Sequence, residues 1–151
     1  MEAARKRILE NLVECQNIIE LTYRYGSSLD DRDWARLATC FTPDAVALYG
    51  AELGQQDGYA AIERACRSAL EPLDSSQHLI SNQEIEIDGD TARARCYLHA
   101  QHTKKGTPGG DNFTVGATYL DELVRTPQGW RIKKRELRVT WQDGNLAVLW
   151  G

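Results

Sequence analysis

The sequence predicts an α+β domain in which early helices pack on one face of a strongly curved antiparallel sheet, leaving a pocket between the two layers. Three observations predict it. Residues near 5–29 repeat apolar side chains at spacings of three and four, the period of a helix with one buried stripe. The second half of the chain instead alternates apolar and polar residues in four long runs separated by short turns. Helices gathered first and strands afterwards segregate onto opposite sides of a domain, whereas interleaved elements would give a parallel sheet.

Each element has its own justification. In the first helix Ile8, Leu12, Cys15, Ile19, Thr22 or Tyr23, and Gly26 make up the expected stripe. The break "LDDRD" supplies N-caps for a short second helix, "WARLATCF". The turn "TPD" stops that helix, because the residue before a proline avoids the helical region, and "AVALYG" follows as a strand. Beyond a Gly- and Gln-rich connection, "GYAAIERACRSAL" places Tyr59, Ile62, Cys66 and Ala69 on one helical face, and "EPLDSS" closes this third helix. The strands are "QHLISNQEIEI", "TARARCYLHAQHT", "FTVGATYLDELVR" and "WRIKKRELRVTW", joined by "DGD", the loop "KKGTPGGDN" and "TPQG". No repeat or linker interrupts residues 1–151, which read as a single domain.

A chain of 151 residues has room for one domain with a real core. Its 18 basic and 22 acidic residues give a net charge of -4 without blocks of either sign, so the electrostatic footprint of a nucleic-acid binder is missing. Cys15, Cys40, Cys66 and Cys96 are widely spaced in apolar-periodic segments, which suits reduced thiols, a cytoplasmic setting and no metal site. The start "MEAARKRILENL" has no apolar signal region, and no run approaches the ~20 apolar residues that span a bilayer, so a soluble protein without a membrane partner is expected. The tail "NLAVLWG" is too apolar to leave in water; covering Leu146, Val148 and Trp150 calls for a homo-oligomer.

Candidate chemistry falls on few residues. Asp30 lies one turn beyond Gly26, so its carboxylate points inward and needs a partner; taken alone an aspartate at such a break reads first as an N-cap, but Asp31 and Asp33 can do the capping instead, which frees Asp30. Tyr25 lies one turn earlier, as an amphipathic ring at the edge of the core. His78 opens a strand in which His78, Ile80 and Asn82 share one face while Leu79, Ile85 and Ile87 share the other. A core histidine is the plain alternative there. In the next strand Ala92, Ala94, Cys96, Leu98 and Ala100 form a face of small residues that ends at His102, the pattern of a cavity wall with one titratable group. The last strand changes phase between Trp130 and Ile132 on one side and Leu137, Val139 and Trp141 on the other, which requires a bulge near residues 133–136. That bulge turns Arg135 inward, where it must meet an anion, either Asp30 or a bound ligand. Tyr49, Asn82, Leu98, Ala100, His102 and Val139 complete the expected substrate-binding wall. No P-loop, GxGxxG, GxSxG, HExxH or CxxC pattern occurs. What remains is the composition of a cofactor-free acid–base site.

The segments "YGSSLDDRDWARLATCFTPDAV", "SQHLISN" and "YLDELVRTPQGWRIKKRELRVTW" together resemble the SnoaL-like family of the nuclear transport factor two-like superfamily, which has an α+β cone fold. In site pattern the chain is similar to scytalone dehydratase, hexachlorocyclohexane dehydrochlorinase and bile-acid 7-alpha-dehydratase. The resemblance places their aspartate after the first helix on Asp30 and their strand histidine on His78. The polar residue five before the aspartate falls on Tyr25, the dehydrochlorinase's last-strand arginine on Arg135, and scytalone dehydratase's second histidine on His102. It implies a cofactor-free lyase of the dehydratase type, eliminating water or another leaving group from a small hydrophobic, polycyclic or aromatic metabolite. In that scheme His78 is the base, Asp30 orients it, Tyr25 binds the enolate or protonates the departing hydroxyl, Arg135 offsets developing charge, and His102 is a second acid. A polyketide cyclase or isomerase with the same site, and a non-catalytic binding or assembly protein, are the alternatives the family implies, with a trimer or a dimer as the assembly. Walls of Ala, Leu and Cys imply a bulkier substrate than the dehydrochlorinase's.

Overall fold

The first helix is longer than its pattern and is buried along a different stripe. The computed structural model describes residues 1–151, and in it α1 spans Glu2–Asp31. Its buried residues are Ile18, Leu21, Thr22, Tyr25, Gly26, Ser28 and Leu29, whereas Ile8 and Leu12 of the expected stripe are 61% and 58% exposed. The helix is tied to the sheet at Glu14, whose carboxylate accepts from Trp130 Nε1 at 2.6 Å and pairs with Arg125 Nη1 at 2.7 Å. The turns before Glu14 lie in water, so their apolar residues have nothing to pack on.

The end of α1 is shaped by two residues of the aspartate-rich break. Arg32 takes the left-handed conformation, with φ 57°, and ends the helix. Asp33 caps α2 (Trp34–Ala38) by accepting from Arg36 N at 2.9 Å. Asp30 is thereby left free of capping. The expected "TPD" turn is absent: Thr42, Pro43 and Asp44 lie inside β1 (Phe41–Leu48), where the proline appears as a register irregularity between Phe41 and Val46. The Gly- and Gln-rich connection holds two elements too short for any periodicity to show, α3 (Gly50–Leu53) and β2 (Gln55–Asp57). In α4 (Tyr59–Leu70) Ile62, Ala65, Cys66, Ala69 and Leu70 are buried.

The long strands are β3 (Ser75–Asp88), β4 (Thr91–Thr103), β5 (Asn112–Thr126) and β6 (Gly129–Gly144). They form one curved, unclosed sheet with strand order β2-β1-β6-β5-β4-β3, antiparallel except where β1 runs parallel to β6. Three irregularities set which side chains face the core. Glu122 faces Lys134 while Leu123 faces Ile132, so Lys133 is the extra residue of a bulge, and Trp130, Ile132 and Arg135 are all buried. Gly116 faces Trp141 while Ala117 faces Val139, which leaves Thr140 extra and turns Trp141 onto the outer face beside His99, ring centroids 5.4 Å apart.

The third irregularity overturns an expectation. Between Ser81 and Glu84 the register of β3 shifts, with Asn82 at φ 53°. The chain therefore changes parity: Ile85 and Ile87 pack against the core alongside Ile80, and Leu79 alone of the expected opposite face stays out at 50% exposure. The C-terminal tail folds back as α5 (Ala147–Trp150) and buries Val148 within its own chain, while Leu146 and Trp150 remain 45% and 38% exposed. No helix is long and apolar enough to cross a membrane.

Candidate active site

Asp30 and His78 meet where α1 packs closely on β3 at a glycine. A Cβ at Gly26 would lie 3.4 Å from the His78 carbonyl oxygen and from Ile80 Cγ1, ordinary van der Waals contact, so a methyl would fit there and a longer side chain would meet β3. One turn later the Asp30 carboxylate meets His78 twice and Ser76 once. Its Oδ1 is 2.6 Å from His78 Nδ1, its Oδ2 accepts from His78 N at 2.8 Å, and Ser76 Oγ donates to Oδ1 at 3.1 Å. Arg32 Nη1 donates in turn to Ser76 Oγ at 2.8 Å. Burial pushes the Asp30 carboxyl up, but the hydrogen bonds and charge of His78, with help from Ser76, outweigh it and hold the group below the usual carboxylate range. An ionised carboxylate accepts only, so Nδ1 carries a proton, and in the neutral form of the ring the lone pair is on Nε2.

His102 stands 5.8 Å from His78, ring to ring and nearly perpendicular. It is 5% exposed, and its Nδ1 lies 3.1 Å from the Phe113 carbonyl oxygen, which can only accept. Its Nε2 is therefore also an acceptor. Burial first, and then the neighbouring His78, lower its pKa to about 4, so the ring is neutral near pH 7. In the neutral ring the one proton faces a carbonyl, which leaves Nε2 as an acceptor rather than as the donor that the second-acid expectation needs.

At the other end of the site three tyrosines converge. Tyr25 Oη lies 3.1 Å from Tyr49 Oη and 3.4 Å from Tyr119 Oη. Burial pushes all three phenols well above their ordinary value, which keeps them protonated and able to donate. Arg135 is fully buried as expected, but its anion is neither Asp30 nor a ligand: Nε and Nη2 donate to Asp121 Oδ1 and Oδ2, each at 2.7 Å. Asp121 lies on the inward face of β5 with Phe113, Val115, Ala117, Tyr119 and Leu123, and it satisfies the arginine without Asp30.

Between these groups is a cavity of about 110 Å³. Its wall includes the expected Tyr25, Tyr49, His78, Leu98, Ala100, His102 and Val139, but not Arg135, Asn82 or Asp30, which stands behind His78. Asn82 is exposed, because the β3 bulge breaks the alternation that put it on the face of His78. The small residues of β4 do not make the cavity large, since Phe113, Leu149, Trp150 and the tyrosines fill the space opposite them. The residues that sequence reasoning missed left readable signals. Ser76 shares the parity of His78, and an aspartate on the apolar parity of "FTVGATYLDELVR" is the natural partner of an inward arginine. Glu52, Leu53, Leu149 and Trp150 at the rim come from short elements that left none.

A helix laid across a curved sheet, with its aspartate paired to a histidine that lines the cavity, defines a small-molecule site of the cone-fold type. The SnoaL-like domain family matches residues 10–136, and the chain belongs to that family. An uncharacterised protein of Mycobacterium tuberculosis is 36% identical over 119 residues, 78% of this chain and 80% of the relative. A Novosphingobium aromaticivorans protein, described as a candidate scytalone dehydratase, is 25% identical with a TM-score of 0.81 over 89% of each chain. Hexachlorocyclohexane dehydrochlorinase LinA-type3 from Novosphingobium barchaimii shares the fold at 19% identity and a TM-score of 0.77, over 91% of this chain and 94% of that one. The family holds small-molecule-converting enzymes and binders, dehydratases, isomerases and cyclases among them.

Proposed function

We propose that the chain is a cofactor-free lyase of the dehydratase type acting on a small, neutral, hydrophobic molecule. The observation that carries this reading is the 2.6 Å contact of Asp30 with His78 on the wall of an apolar cavity. His78 Nε2 removes a proton activated by a carbonyl or ring system, and the electron pair passes onto the carbonyl oxygen. Asp30 fixes the tautomer and stabilises the imidazolium that forms. The tyrosine hydroxyls donate to the oxygen as it gains charge, an interaction stronger in the transition state than in the ground state. The enolate then collapses, the bond to the β-hydroxyl breaks, and the proton returns from His78 to the departing hydroxyl as water. His102 Nε2 accepts a hydrogen bond from a substrate hydroxyl and so orients it.

The cavity wall bears no lysine or arginine and carries Glu52, which disfavours anionic substrates. Its volume of about 110 Å³ suits one ring better than a polycycle, since a cavity of roughly 150 Å³ takes up benzene. The test is a set of single-ring β-hydroxy ketones in deuterated water, followed by NMR for exchange of the activated proton and for the new double bond. Exchange with elimination supports the lyase. Exchange without elimination would turn the reading to an isomerase or cyclase, and binding with neither would make the protein a non-catalytic binder. The proposal includes a homo-oligomer that covers Leu146 and Trp150, and a monomer in light scattering would refute that part.

A further inference from the structure

Asp121 and Arg135 form the most deeply buried ion pair of the molecule, with side chains 1% and 0% exposed. Such a pair is poorly explained by stability alone, because desolvation offsets most of the attraction and apolar replacements are commonly as stable. It lies behind the site, since neither residue lines the cavity. Tyr25 and Tyr119 do line it, and the Arg135 guanidinium carbon lies over both rings, 4.1 and 3.9 Å from their centroids. The remaining guanidinium nitrogen, Nη1, is buried and has no hydrogen-bond partner. The two rings meet edge to face, with centroids 5.6 Å apart, so one cation holds both in place.

We propose that Arg135, held in place by Asp121, is a positioning residue that fixes the two rings and makes the Tyr25 and Tyr119 hydroxyls stronger donors toward an oxyanion forming in the cavity. A cation over the face of a phenol draws electron density from the ring and thereby from its oxygen, which strengthens the O–H as a donor. Burial raises both hydroxyls above their ordinary value, so they stay protonated and able to donate beside the cation. Asp121 holds the guanidinium plane by two parallel hydrogen bonds and tempers its charge. The inference rests on the proposed lyase reading, in which the tyrosines receive the enolate oxygen.

The experiment uses 4-nitrophenol, a single ring whose phenolate form stands in for the oxyanion and is read by its visible absorbance. The ratio of phenolate to phenol affinity is measured for the wild-type protein, for Asp121→Asn and for the double variant Asp121→Leu with Arg135→Met. The wild-type protein is expected to favour the phenolate. The double variant is expected to lose that preference by about tenfold while still binding the neutral phenol. Asp121→Asn keeps the size of the residue and removes only the opposing charge, so the phenolate preference should strengthen; a merely structural pair would show it weakened or unchanged. That sign decides the matter even if the double variant fails to fold. A phenolate preference unaltered in the variants overturns this inference and leaves the proposed site standing. A wild-type protein that takes up only neutral phenol, or no phenol, removes the oxyanion end of the lyase reading and this inference with it.

Discussion

His78 and His102 line one cavity with ring centroids 5.8 Å apart, and they differ in what their Nδ1 atoms touch. The partner of His78 is a carboxylate and that of His102 is a backbone carbonyl. Both partners leave Nε2 as an acceptor, but only the carboxylate brings a full negative charge to the cation that results when Nε2 takes a proton. The carbonyl offers a dipole in a buried place, and burial holds that ring neutral. In the proposed mechanism, two residues of one type on adjacent strands divide the work between a base and a hydrogen-bond acceptor.

The comparison breaks most visibly at His78. Replacing it with alanine should lower turnover on the substrate found above by about a hundredfold to ten-thousandfold, with an unchanged circular dichroism spectrum. If His102→Phe gave that loss and His78→Ala did not, the roles would be reversed. Asp30→Asn keeps the volume and removes the charge, and it should reduce turnover by roughly a hundredfold, because an amide can present either a donor or an acceptor to Nδ1. It also has a signature in stability. The Asp30 carboxyl is depressed in the folded state, so its contribution is present above the pKa of the unfolded chain and is lost as pH falls through the folded value. Urea unfolding between neutral and acid pH should show a shallower acid loss in Asp30→Asn than in the wild-type protein.

The smallest effect belongs to His102. Its folded pKa of about 4 lies below the ordinary 6.5, so between those values the unfolded chain binds a proton that the native state refuses. Stability therefore falls as pH drops through that window, by up to about 3 kcal/mol. His102→Phe should flatten this segment of the unfolding profile and change turnover less than either replacement above. An NMR titration that places the His102 midpoint near its ordinary value would remove the distinction between the two rings.

Much of the site was legible from short-range pattern. Asp33 is an ordinary cap, which left Asp30 to seek another partner, and the parity clash in β6 required the bulge that turns Arg135 inward. The misreadings came from partners distant in sequence. Arg135 plainly needed an anion, but whether Asp30 or Asp121 supplied it depended on which strand lay alongside, and strand pairing is a property of the whole sheet. Asn82 fails as a wall residue for a local reason that alternation conceals, a left-handed backbone at one position of β3.

The sequence by itself determined the α+β class, the four long strands and the identities of the two histidines that face the cavity, because hydrophobic period and turn chemistry act over a few residues. Only the tertiary structure decided which stripe of α1 is buried and which anion meets Arg135. It also decided that the C-terminal helix closes over the space the small residues of β4 would otherwise leave open. Those outcomes turn on which surfaces are brought against one another, and burial, unlike periodicity, exists only once the chain has folded.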